Sequence, residues 1–220
     1  SPNWFGSPAV PDLTKFYDDN LTDAFTLTSA TYTPWCANPE CTDLVYPRVH
    51  NITQDTVFLT IQAAIDATST VDGDIIEVAP GLYDERVNIT KKLTLLGATH
   101  GVSKKGYTPP AGYAYDLDVE SVIKPSGDID VSVLTINADQ VTVDGFVIAN
   151  TSILTAGNMK NLVQFPQTMD LPLGSSLINS VIGPLTGPAQ NGNLGRFGIV
   201  APGPSTTGAT KSRVMIIRDN

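Results

Sequence analysis

From residue 75 onward, apolar residues come in short runs with single polar residues set between them. Val87-Asn88-Ile89, Leu93-Thr94-Leu95 and Val141-Thr142-Val143 each put an apolar side chain at every second position, the period of a strand with one buried face. In that frame Val87, Ile89, Leu93, Leu95, Val141, Val143, Val214 and Ile216 point inward. Asn88, Thr94, Thr142 and Met215 point outward. The runs predict strands over 75–78, 87–89, 93–96, 121–123, 133–136, 141–144, 146–148, 162–165, 177–182, 197–200 and 214–217, punctuated by Gly, Pro, Asn and Asp. Just upstream the period changes. Thr60 stands as an N-cap, and Ile61, Ala64, Ile65 and Thr68 share one helical face. Asp72-Gly73-Asp74 is the turn leading out of that short amphipathic helix.

No helical period separates the strands, which argues against a doubly wound α/β sheet and leaves an antiparallel sandwich or a solenoid. Repetition favours the solenoid. Asp139-Gln140-Val141-Thr142-Val143-Asp144-Gly145 echoes Lys92-Leu93-Thr94-Leu95-Leu96-Gly97, and residues 212–220 echo both. A coil of short strands buries inward residues on like residues of the next coil, which demands such a pattern. The helix then covers the apolar end of the first coil. Residues 49–220 form this body, with its regular pattern from about Gln54. Residues 1–48 carry Trp4, Phe5, Phe16, Tyr17, Phe25, Tyr32 and Trp35 without a sustained period. They are an irregular extension, packed on the body or reaching to another subunit.

Composition narrows the setting. Only 16% of residues are charged and the net charge is −9, which argues against nucleic acid and against anionic membrane surfaces. No apolar stretch is long enough to span a bilayer as a helix. The chain begins Ser1-Pro2-Asn3, read either as a processed N-terminus or as a cut. The two cysteines, in Cys36-Ala37-Asn38-Pro39-Glu40-Cys41, suit a small disulfide loop, with free thiols the alternative. A disulfide would point to an oxidising compartment. Asn-X-Ser/Thr triplets at Asn20, Asn51, Asn88 and Asn150 are candidate glycosylation sites.

Thr60-Ile61-Gln62-Ala63-Ala64-Ile65-Asp66-Ala67, then Gly73-Asp74-Ile75-Ile76-Glu77-Val78-Ala79-Pro80-Gly81-Leu82-Tyr83-Asp84-Glu85, then Leu93-Thr94-Leu95-Leu96-Gly97, resemble the opening of the pectin-lyase-like superfamily. Asp144-Gly145-Phe146-Val147-Ile148 resembles a later rung of the same superfamily. The resemblance covers residues 56–150 closely and 151–220 loosely. It implies an all-β fold, a right-handed parallel β-helix. It further implies that Gly81 supplies a corner, Tyr83 packing, and Glu85 hydrogen bonds to nearby backbone.

Activity is not implied with the fold. Gln54-Asp55-Thr56 and Leu194-Gly195-Arg196 match fragments of pectinesterase motifs but stand without their partners. Asp116, Asp118 and Glu120, and Asp128 with Asp130, are the acidic clusters a lyase would need for calcium. They read as solvated loop charge, so no cofactor is expected beyond a calcium ion at most. Arg196, Arg213 and Arg218 show no recognisable spacing from a carboxylate. The expectation is an extracellular or cell-surface structural or adhesive protein. It would present loops to a polysaccharide or another surface protein, or self-associate head to tail. The alternative is a polysaccharide lyase or esterase whose catalytic rungs lie beyond Asn220, where the repeat looks incomplete.

Overall fold

The computed structural model describes residues 35–36, 44–45, 47–105, 115–126, 132–149, 162–165, 174–183, 199–200 and 215–218. A short antiparallel pair, β1 (Trp35–Cys36) with β2 (Leu44–Val45), comes first. A hairpin of β3 (Val49–Asn51) and β4 (Thr56–Phe58) leads into α1 (Ile61–Asp66). Next come β5 (Ile75–Val78), β6 (Gly81–Tyr83), β7 (Val87–Ile89), β8 (Thr94–Leu96), β9 (Ser121–Ile123) and β10 (Leu134–Ile136). They are followed by β11 (Thr142–Asp144), β12 (Phe146–Ile148), β13 (Val163–Gln164), β14 (Ser175–Ile178), β15 (Val181–Ile182), β16 (Ile199–Val200) and β17 (Met215–Arg218).

From β5 onward consecutive strands enter three different sheets in rotation, and every third strand returns to the same sheet. The first sheet runs β17-β14-β11-β8-β5 and ends on the hairpin β3-β4; the second runs β15-β12-β9-β6 and the third β16-β13-β10-β7. All pairings from β5 onward are parallel, while β3 pairs antiparallel with both β4 and β5. The protein is therefore mostly β, built on parallel sheets.

Register stacks like on like. Ile76, Leu95, Val143 and Leu177 align across the first sheet and all are fully buried. Val87, Leu134 and Val163 align in the third, and Tyr83, Ile123 and Ile148 in the second. Neighbouring strands are about 4.8 Å apart, so each row is a continuous apolar stack. The inward positions expected for β7, β8 and β11 hold, with Asn88 exposed and Thr94 and Thr142 half-buried.

Several expectations are corrected. Regular pairing is present ahead of Gln54, because β3 (Val49–Asn51) joins the first sheet beside β5. Helix α1 ends at Asp66, and Thr68 lies beyond it, exposed. The run expected as one strand over 177–182 is broken by Asn179, whose φ of 51° turns a corner between β14 and β15. In the last strand the backbone register aligns Ile217 with Leu177; the side chains of 215–218, and Val214 altogether, lie outside the described residues. The second sheet departs from simple alternation. Val122, Val147 and Val181 align on its outer side and are nonetheless buried, with Tyr115 packed against them. A sheet covered on both faces reads as continuous apolar strands, which explains Ser121-Val122-Ile123 and Phe146-Val147-Ile148.

Two glycines permit the close passage of chain at the corner between the first and second sheets. A Cβ on Gly97 would collide with the Gly145 carbonyl oxygen, and one on Gly145 with the His100 backbone. Gly145 also holds φ 79°, a conformation that side chains with Cβ rarely adopt.

Candidate functional site

The densest polar construction among the described residues lies where the hairpin and α1 cover the end of the first sheet. Asn51 is fully buried, and its carboxamide uses all four of its hydrogen-bonding positions. Nδ2 donates to Thr70 Oγ1 at 3.0 Å and to Asp74 Oδ2 at 2.8 Å. Oδ1 accepts the N–H groups of Thr53 and Gln54, each at 3.1 Å. Thr70 donates onward to the Ala64 carbonyl of α1 at 2.7 Å. Asp74 also accepts Gln54 Nε2 at 2.9 Å and the Val71 N–H at 3.0 Å. Burial opposes charge on Asp74, but the bonds from Asn51, Val71 and Gln54 and the nearby Lys91 charge outweigh it, and its pKa is lowered. Lys91 itself donates to the carbonyls of Ala67 and Thr70, just beyond the end of α1.

The other end of α1 is held by Glu85. Its two carboxylate oxygens accept the N–H groups of Ile61 and Gln62, each at 2.8 Å, while Thr60 Oγ1 accepts the Ala63 N–H at 3.1 Å. These bonds satisfy donors that a helix N-terminus leaves open. Burial pushes the Glu85 pKa up, against the two bonds to Gln62 and Ile61. Tyr83 packs in the core and donates from its hydroxyl to the carbonyls of Ala79 and Arg48, and burial pushes its pKa up to about 12. The Arg48 guanidinium stands 5.0 Å over the Tyr83 ring. The contacts expected of Tyr83 and Glu85 are present, and Gly81 makes the turn into strand β6 at φ 138°.

The other candidate residues stay apart. Gln54 belongs to the buried network, and Asp55 Oδ1 lies 3.1 Å from His50 Nε2 at the surface. His100 donates from Nδ1 to the Gly97 carbonyl at 2.8 Å. In the acidic loop Glu120 accepts the Asp116 N–H at 3.0 Å and Asp116 the Asp118 N–H at 3.1 Å, so these carboxylates shape their own turn. No group of three or more His, Cys, Asp or Glu among the described residues is arranged to hold a metal ion. Asp144 accepts Asn179 Nδ2 at 2.7 Å and the Gly101 N–H at 3.2 Å, tying one corner to the next. Asp128, Asp130, Arg196 and Arg213 lie outside the described residues, as do Asn20, Asn150 and Cys41. Cys36 and Arg218 are placed by backbone only.

The two remaining glycosylation candidates separate sharply. Asn88 is exposed on β7. Asn51 is fully buried, with its amide bonded inside the protein. The Asn51–Thr70–Asp74 network is not legible in the sequence, where Asp74 reads as a simple turn residue. Nor is the role of Gln62, which depends on the strand packed beside it.

No helix among the described residues is long and apolar enough to cross a membrane. No family profile matches the chain, and no solved structure does. Over 100 residues the sequence is 34% identical to a protein described as a cell surface glycoprotein from Methanothermus fervidus, a stretch covering 46% of this chain. The chain spans only 13% of that relative's length.

Proposed function

We propose that this chain is a structural segment of a cell-surface protein, wound as a right-handed parallel β-helix of the pectin-lyase-like kind. The observation that carries the reading is the rotation of consecutive strands through three sheets with like residues stacked in register. Such a stack needs only neighbouring coils for its core and leaves its corners free to carry excursions. Its place is extracellular, a location supported by the similarity to a cell surface glycoprotein. The segments between β8 and β9 and between β15 and β16 are the parts of the sequence proposed to meet another surface protein, a polysaccharide or a second copy.

The test labels intact cells that make the protein with a membrane-impermeant amine reagent. Labelling before lysis is the expected result; labelling only after lysis overturns the surface reading. Cryo-electron microscopy of the purified protein should resolve a three-sided rod with the strand spacing along its axis. Release of unsaturated sugars from acidic polysaccharides, or of their ester groups, would replace the structural role with an enzymatic one.

A further inference from the structure

Asn51-Ile52-Thr53 and Asn88-Ile89-Thr90 are the same triplet, and the fold gives them opposite fates. We propose that Asn88 carries an N-linked glycan and that Asn51 carries none. The inference rests on the surface reading above, since an exported chain is the one that meets a glycosylating enzyme.

Asn88 lies between Val87 and Ile89, which are 1% and 0% exposed. Strand alternation therefore turns its side chain away from the core, and Asn88 and Thr90 are both exposed. Strand β7 is the edge of the third sheet. Both main-chain polar groups of Asn88 are held by Gln62, so attachment at the side chain leaves the strand's own hydrogen bonds intact. The residue beside it across the sheet is Thr135, half-buried and polar.

Transfer joins Asn88 Nδ2 to C1 of a sugar delivered on a lipid-linked phosphate. The bond from C1 to the phosphate oxygen breaks as the C1–N bond forms. The lipid phosphate leaves with that electron pair, and Nδ2 gives up one proton to a base of the transferase. At Asn51 the same step would remove one of the two N–H donors that hold Thr70 and Asp74. It would also set a sugar where the residue is wholly enclosed.

The full protein, isolated from the cells that make it, is digested and its glycopeptides are read by mass spectrometry. The expected result is a sugar on the Asn88 peptide and a bare Asn51 peptide. A bare Asn88, or a sugar on Asn51, overturns the proposal. Asn88→Gln and Thr90→Ala should each lower the intact mass by the same single glycan; an unchanged mass in either also overturns it. Location is read on the same cells by the impermeant label, so a surface protein with bare Asn88 refutes the glycan and leaves the surface reading standing.

Discussion

The side-chain amide of Gln62 pairs with Asn88 as a neighbouring strand would: Oε1 accepts the Asn88 N–H at 2.7 Å and Nε2 donates to the Asn88 carbonyl at 3.3 Å. An open strand edge invites pairing with other chains, and here one residue of α1 occupies it. Gln62→Ala should cost about 1 kcal/mol, the usual net worth of a hydrogen bond. The Asn88 amide should exchange with solvent faster, by hydrogen exchange read residue by residue. Unchanged exchange at Asn88 would show that the edge is protected by something else.

Leu95 lies in the fully buried row between Ile76 and Val143. Leu95→Ala should cost about 2–5 kcal/mol, as for other enclosed leucines. Thr94→Ala, one position along and on the outer face, should stay within about 0.5 kcal/mol. Denaturant titration of the two variants checks the contrast; equal losses would contradict the register.

Gly73 and Gly145 both hold positive φ, at 96° and 79°. Space differs: nothing lies within 4 Å of a Cβ on Gly73, while one on Gly145 meets the His100 backbone. Gly145→Ala should therefore cost about 1–3 kcal/mol more than Gly73→Ala, the range for forcing extra atoms into packed structure. Thermal or denaturant unfolding of the pair reads the difference directly.

Two carboxylates pull the acid stability in opposite senses. Asp74 is lowered from its ordinary 3.8, so it contributes stability that is complete above that value and lost as the pH falls through its depressed folded pKa. Glu85 is raised from its ordinary 4.5. The stability it withholds near neutrality is recovered as the pH falls from its raised folded pKa to 4.5. Asp74→Asn should weaken the protein at neutral pH and flatten the most acidic part of the stability profile. Glu85→Gln should flatten the part just above 4.5. Denaturant midpoints measured across pH check both signs.

Legibility in the sequence followed the length of the local signal. Thr60 before Ile61, Ala64 and Ile65 announced α1, and the alternation in 87–89, 93–95 and 141–143 set the register of three strands. Strand β3 was missed because Val49-His50-Asn51 is short and lacks a second aliphatic residue; its place comes from pairing with β5. Val214-Met215-Ile216-Ile217 is apolar throughout, so alternation alone cannot say which residues of β17 face the core. The two Asn-Ile-Thr triplets were indistinguishable for a deeper reason. What separates Asn51 from Asn88 is Asp74 and Thr70 on one side and solvent on the other, and those are facts of distant chain brought together.

Strands β5 and β8 are neighbours with only residues 79–93 between them, and β8 and β11 are neighbours with residues 97–141 between them. The same spatial step is thus bridged by very different amounts of chain. Lengthening a loop costs little entropy once its ends are fixed, and here the ends are fixed by rows of stacked aliphatics. Such a protein has two nearly independent ledgers of change. Its rows tolerate little substitution because each residue answers to the one above and the one below, while its corners have room to gain or shed whole segments and so present a new exterior on an old frame.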